Sequence, residues 1–333
     1  MDAQGRKPPF PWMLWIVLTL VGAGLTAGLI IAGGDAAELS PAGWAAAVIG
    51  FAPLVGAQLT LGVPSAAVKV KAWLETTRRP LLYTAGGVTA LWLVFQVASG
   101  EFNPYTTLIV AFGLVAALGT LRQVRRGRRG LTWADVAVWM LLWIPFDLRW
   151  VYDLGGDYHW WAIALSVLGV IGWYGMRDLP GFGYRLVPRW QDVAVALAAT
   201  AALMVVLVPV GLAIDFLSWP PSKPPQLWPA LFMFAGVFLT IAVPEELFFR
   251  GVLQHGLDQT TSRRWLSLLA ASFLFGLMHW NNAGDLTEKA AYVALATVAG
   301  LFYGLAYRRS GNSLLAPVLT HTLVDVIWAT FFR

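Results

Sequence analysis

The chain has 333 residues, 58% of them hydrophobic and only 12% charged, with a formal net charge of +5 and no cysteine. Soluble domains carry about 25% charged residues, so the composition excludes an ordinary soluble protein. The missing thiols exclude disulfides, thiolate metal sites and a cysteine nucleophile.

Apolar runs of about 20 residues recur from end to end. They are continuous rather than alternating, which predicts helices and not a membrane β-barrel. The expected fold is an all-α polytopic membrane protein with about eleven transmembrane helices. These fall at residues 12–32, 43–66, 80–99, 104–121, 132–147, 159–176, 192–213, 228–255, 265–281, 290–307 and 312–332. The first run, Pro11 to Ala32, is too long for a signal-peptide core and is expected to remain as the first span. The fifth is interrupted by Asp135, Pro145 and Asp147. No internal repeat is evident, so the inverted-repeat architecture of many transporters finds no support.

The positive charge is not a nucleic-acid signal, because it sits in short loops between apolar runs. Most of the Lys and Arg fall at Arg6–Lys7, Lys69–Arg79, Arg122–Arg129, Arg177–Arg189, Arg263–Arg264 and Arg308–Arg309. The intervening loops carry Asp35 and Glu38, Glu101, Asp153 and Asp157, Asp215, then Asp285 and Glu288. This is the positive-inside pattern. It predicts an integral protein of a bacterial-type plasma membrane, N-terminus cytoplasmic and C-terminus outside, with lipids as its surroundings. Trp150, Trp160 and Trp161 fit an interfacial belt near the outer surface. The Arg122–Arg129 cluster reads as a topology anchor.

The first six spans hold no polar constellation, and residues 1–185 form an N-terminal six-span module. Small residues such as Gly22, Ala23 and Gly24 suit close helix packing there. The segment Arg177–Arg189, with Pro180, Gly181 and Gly183, is the expected boundary. The loop Ser218–Gln226, with four prolines, is expected to be stiff and extended, a spacer or the rim of an entrance. Residues 186–333 form the second domain, whose C-terminal helical bundle is expected to hold the active site.

Within that domain, Pro244-Glu245-Glu246-Leu247-Phe248-Phe249-Arg250 puts three charges inside an apolar run. Each charge at bilayer depth costs about 2.5–3.5 kcal/mol on insertion scales. On a helix, Glu246 and Arg250 are spaced i,i+4 and can pair. Glu245 points about 100° away and is left free to work. Pro244 is expected to kink the helix or to start a new one. Two later runs add polar groups: Phe275-Gly276-Leu277-Met278-His279, and His321-Thr322-Leu323-Val324-Asp325. By helical rise, Glu245 and His321 fall near mid-span and His279 about 9 Å towards the outer face. His159 and His255, near span ends, read as packing residues, as do Asp135 and Asp147.

These three runs, in order and each placed in an apolar helix, resemble the signature of the CPBP family of intramembrane proteases. That family contains CAAX-processing enzymes and bacteriocin-processing or immunity-type (Abi) proteins. Its pattern is Glu-Glu-x-x-x-Arg, then Phe-x-x-x-His, then His-x-x-x-Asn/Asp. Here it falls on Glu245, Glu246 and Arg250, on Phe275 and His279, and on His321 and Asp325, covering roughly residues 237–327. The resemblance implies an endopeptidase acting on membrane-associated peptides or proteins.

Such hydrolysis needs an activated water, a proton for the leaving amine and stabilisation of the oxyanion. Apolar surroundings suit a carboxylate to general-base work, so Glu245 is expected to take the water. His279 shares in positioning or protonating it. His321 binds the carbonyl oxygen or is oriented for that by Asp325. An ionised Asp, unlike Asn, cannot donate a hydrogen bond, which favours the orienting role for Asp325. Glu246 and Arg250 support the Glu245 helix electrostatically, and Phe275 walls the pocket. Glu245, His279 and His321 are also competent Zn²⁺ ligands, but no His-Glu-x-x-His helix exists. Metal-free chemistry is the expectation, with Zn²⁺ the alternative. A proton-coupled transporter and a non-catalytic membrane scaffold or immunity protein are the competing functions.

Overall fold

The computed structural model describes residues 10–33, 40–153, 157–221 and 224–332, all helix and connecting turns, with no strand among them. Arg6, Lys7, Asp35 and Glu38, which carry part of the expected charge alternation, lie outside the described residues, as do Ser222 and Lys223 of the proline-rich loop. Two compact units are formed, Met1–Pro180 and Gly181–Arg333.

Unit one contains α1 (Trp12–Gly33), α2 (Pro41–Gly62), α3 (Pro64–Thr76), α4 (Pro80–Ser99), α5 (Pro104–Gln123), α6 (Trp133–Asp147) and α7 (Tyr158–Gly169). A wider π-type turn, Val170–Met176, continues α7. Prolines occupy the first position of α2, α3, α4 and α5. There a missing N–H costs no helical hydrogen bond and the fixed φ favours the first turn. Pro64 thereby cuts the expected run 43–66 in two. Its second part, α3, buries Ala66, Ala67, Val70 and Leu74 and leaves Lys69 towards the exterior.

Helix α1 packs on α2, and α2 on α4 and α7. The contact of α1 with α2 is close because two glycines face it. A Cβ at Gly22 would stand 3.0 Å from that of Val55, and one at Gly56 would stand 2.8 Å from Thr19 Cα. Gly24 meets nothing. The expected Trp belt is corrected in part. Trp150 is exposed, but Trp160 and Trp161 are buried, each ring centred 5.0 Å from Trp92. Trp160 Nε1 donates to Gly50 O at 3.2 Å. The reason is packing: the three indoles and Phe95 form one buried aromatic cluster, which gains more from burial than from an interfacial position.

Asp135 and Arg177 are both fully buried. Asp135 closes a capping box with Thr132 at the start of α6. Its two oxygens accept from Arg177 Nε at 2.8 Å and Nη2 at 3.1 Å, and one also accepts from Trp173 Nε1 at 3.1 Å. The guanidinium donates further to Arg128 O and Gly130 O. Arg177, expected as a loop charge, instead ties α6, the Arg122–Arg129 loop and the end of α7 together.

Unit two contains α8 (Trp190–Ala213), α9 (Leu227–Thr260), α10 (Arg264–Leu277), a 3-10 turn (Trp280–Asn282), α11 (Leu286–Arg309) and α12 (Leu315–Phe331). Helix α12 packs on α8 and α11, and α11 on α10. Segment 181–189 is fixed by Gly183 O, which accepts from Leu314 N at 3.1 Å, and by Arg189, whose Nη2 donates to Ser310 O at 2.9 Å.

Each predicted span overlaps a helix, but 43–66 is divided between α2 and α3, and 265–281 runs past the end of α10. Seven helices among the described residues are long and apolar enough to cross a membrane: α1, α2, α4, α5, α8, α9 and α11. The others are shorter, and α6, α10 and α12 run 15, 14 and 17 residues.

Removing one partner of a fully buried ion pair leaves the other charge uncompensated, at about 3–5 kcal/mol. Arg177→Met is therefore expected to destabilise unit one by that amount, and the double variant Asp135→Ala/Arg177→Met by less than the two single changes together. Unfolding in detergent with a double-mutant cycle measures this. Additive effects would show that the pair is not coupled.

Candidate functional site

Helix α9 is one 34-residue element, Leu227–Thr260. The expected kink or restart at Pro244 does not break it. Instead the helix widens to π-type bonding at Phe238–Ala242 and again at Leu247–Gln254, with an α-helical turn, Val243–Glu246, between. A proline ring presses on the carbonyl of the residue four before it, here Thr240. The wide turn around Thr240 gives that ring room. Glu245 and Glu246 follow at once, held between two irregular turns of the kind that recur at functional sites.

Glu246 and Arg250 are fully buried, and Glu245 nearly so. Glu246 Oε1 accepts from Arg250 Nη1 at 3.0 Å, the expected i,i+4 pair. The same oxygen is 2.9 Å from His321 Nδ1. A carboxylate already paired with a guanidinium accepts, so His321 Nδ1 carries the hydrogen and its Nε2 faces away. Arg250 Nη2 donates to Gly300 O at 3.1 Å. That approach is tight at Gly300, where a Cβ would stand 3.1 Å from Ser272 Cα and 3.2 Å from Arg250 Nη2. Phe275 and Tyr303 flank the guanidinium, their ring centroids 4.3 and 5.3 Å from Cζ. A desolvated cation over two ring faces gains further stabilisation.

His321 lies within α12, its ring stacked on Tyr303 at 4.7 Å between centroids. Its Nε2 lies 3.5 Å from Asp325 Oδ2, one turn along α12, and 3.9 Å from Glu245 Oε2. Glu245 Oε2 is buried with no hydrogen-bond partner. Asp325 thus stands on the Nε2 side of the imidazole, and Glu246 holds the Nδ1 side that orientation depends on.

His279 differs from its expected setting inside a span. Helix α10 ends at Leu277, and His279 occupies the turn leading to Trp280–Asn282. Its Nδ1 donates to Phe275 O at 2.8 Å, which leaves Nε2 as the second ring atom for chemistry. Phe275 sits between the two imidazoles, 4.8 Å from the His279 ring and 5.8 Å from that of His321. Tyr292 stacks on the outer side of His279 at 5.4 Å.

The structure therefore gathers Glu245, Glu246, Arg250, His321 and Asp325 into one contact set and places His279 beside it across Phe275. Among the described residues, no three His, Asp or Glu side chains converge as a metal would need. Tyr303, Tyr292 and Gly300 belong to the site and were not singled out from the sequence. The signal for α11 was the spacing Gly300-Leu-Phe-Tyr-Gly304, a small-xxx-small pattern that lets helix backbones approach.

Residues 226–327 match a family model described as type II CAAX prenyl endopeptidase Rce1-like. No curated protein and no solved structure is detectably similar to the chain. The matched segment contains the gathered set from Glu245 to Asp325, together with His279. Residues 226–327 of this integral membrane protein are thus similar to type II CAAX prenyl endopeptidases of the Rce1-like family, a family of proteases.

Proposed function

We propose that the protein is an intramembrane endopeptidase that hydrolyses peptide bonds of membrane-associated proteins with a water activated by Glu245. The observation that carries this is the unequal treatment of two adjacent carboxylates. Glu246 Oε1 is committed to Arg250 and His321, whereas Glu245 Oε2 is buried without a hydrogen-bond partner, 3.9 Å from His321 Nε2. A desolvated, unpaired carboxylate next to an imidazole is suited to remove a proton from water.

In this reading Glu245 takes a proton as the water oxygen attacks the scissile carbonyl. His321 Nε2–H stabilises the oxyanion, with Asp325 balancing the imidazolium charge. When the C–N bond breaks, the proton held by Glu245 passes to the leaving amine. His279 Nε2 helps position the water or the amine. Glu246, Arg250 and Phe275 are positioning residues. The family description suggests a substrate whose carboxy-terminal peptide is tethered to the bilayer by a prenyl group. This chemistry is metal-independent; in the Zn²⁺ alternative, Glu245, His279 and His321 would be the ligands. The chain crosses the membrane eleven times, N-terminus inside, as its alternating loop charge supports.

Glu245→Gln is expected to leave the protein folded and to lower cleavage of prenylated peptides and membrane-tethered substrates by at least about 100-fold, the scale of a lost general base. Full activity of the variant would sink the assignment.

Purified active protein is expected to hold no stoichiometric zinc and to keep its activity in a chelator. Zinc lost together with activity would replace this mechanism with the metal-bound alternative.

Because the chain has no cysteine, single cysteines report orientation cleanly. In intact cells a membrane-impermeant maleimide should label Ser218→Cys and spare Ser262→Cys. The reverse pattern would invert the proposed topology.

A further inference from the structure

The seam where α9 meets α11 repeats every four residues. Arg250 Nη2 donates to Gly300 O at 3.1 Å, and Gln254 Nε2 donates to Gly304 O at 3.1 Å. One turn further, Asp258 is bridged by Arg308 at 2.7 Å, next to the exposed Arg264. From Glu246 to Asp258 this polar file runs about 18 Å at helical rise, and it ends at the surface of the unit.

The file is under-satisfied along its length. Glu246 Oε2, Arg250 Nε and Gln254 Oε1 on α9, Ser267 Oγ and Ser272 Oγ on α10 and Tyr307 OH on α11 are all buried without a hydrogen-bond partner. Each such atom costs about 1–3 kcal/mol if left dry. Packing ties several of these positions together. A Cβ at Gly300 would lie 3.1 Å from Ser272 Cβ and 3.2 Å from Arg250 Nη2, and one at Gly304 would lie 3.3 Å from Gln254 Cδ. The Tyr307 ring meets His255 edge-on at 6.1 Å.

We infer that this seam is an internal hydration path, a file of bound waters bridging the unpaired atoms and leading from the Asp258–Arg308 end to Glu246 and Glu245. Buried waters take positions with two to four polar partners, and the seam offers unpaired acceptors in Glu246 Oε2 and Gln254 Oε1, a donor in Arg250 Nε and hydroxyls that can do either. The ligand is water itself. Its use rests on the proteolytic reading: each turnover consumes one water, and a site closed by apolar helices needs a supply that does not cross lipid. Gln254, Ser272 and Tyr307 become positioning residues acting through that water.

The test has two arms on the full-length protein in lipid nanodiscs. In the first, millisecond hydroxyl-radical labelling reads hydration without any substrate. Tyr303 and Tyr307 should be oxidised well above Phe146, which is buried in unit one. In Gln254→Leu/Ser272→Ala, Tyr303 labelling should fall to the Phe146 level. Native labelling of both tyrosines at that level would overturn the inference, as would unchanged labelling in the double variant. In the second arm, Tyr307→Phe, which keeps the ring and removes only the hydroxyl, should lower kcat about tenfold with KM unchanged, the scale of one lost buried hydrogen bond. Unchanged kcat would remove Tyr307 from the path. If proteolysis proves independent of Glu245 while the labelling pattern holds, the hydration path stands and the proteolytic reading falls.

Discussion

The structure of unit two depends on how one buried charge is neutralised. Glu246 receives Arg250 and His321 on a single oxygen, and through these two residues three helices are brought to one point. Arg250 then reaches α11 through the Gly300 carbonyl. Remove Glu246, and a guanidinium and an imidazole would face each other in a medium where unpaired charge costs several kcal/mol. This carboxylate therefore does for the bundle what a core leucine cannot. It fixes the distance and the rotation of α9 against α12, and so sets where Glu245 points.

Unit one solves the same problem with Asp135 and Arg177. In each unit a fully buried arginine is held by one carboxylate and by backbone carbonyls from another segment. Arginine suits this role because its planar fork can donate to several acceptors at once and is less strongly hydrated than an ammonium. The difference lies in what surrounds it. Around Arg177 the acceptors are nearly saturated, and the knot is purely structural. Around Arg250 the Nε and the second oxygen of Glu246 remain unpaired. A site that must admit water or substrate keeps polar capacity in reserve, and a knot that only holds helices does not.

Much of this was legible in the residues. Long apolar runs with short polar loops give helices in a membrane, and the i,i+4 spacing of Glu246 with Arg250 gives their pair. The legible features are local ones, set by periodicity within a single helix. What escaped were contacts between helices. Trp160 and Trp161 look like belt residues from their place at a helix start, and only the meeting with Trp92 makes them core. Arg177 looks like a loop charge until Asp135, 42 positions away, is seen against it. His279 sits beyond the end of its helix because the chain turns at Met278, a stop that hydropathy does not mark. Glu246, not Asp325, reaches the Nδ1 of His321, because that choice is made by the rotation of α12 against α9.

Pro244 joins these levels. Placed one residue before the two glutamates, it would break a regular helix by crowding the Thr240 carbonyl and removing an N–H. In a bilayer an open break is costly, since lipid offers no replacement hydrogen bond. The widened turns on either side absorb the misfit and keep α9 continuous. Glu245 and Glu246 themselves lie in the regular turn Val243–Glu246 between them, about 100° apart around the axis. One carboxylate gives an oxygen to Arg250 and His321 while its neighbour accepts no hydrogen bond on Oε2. The irregularity that looks like a defect in the sequence is what lets two carboxylates follow a proline in an unbroken helix.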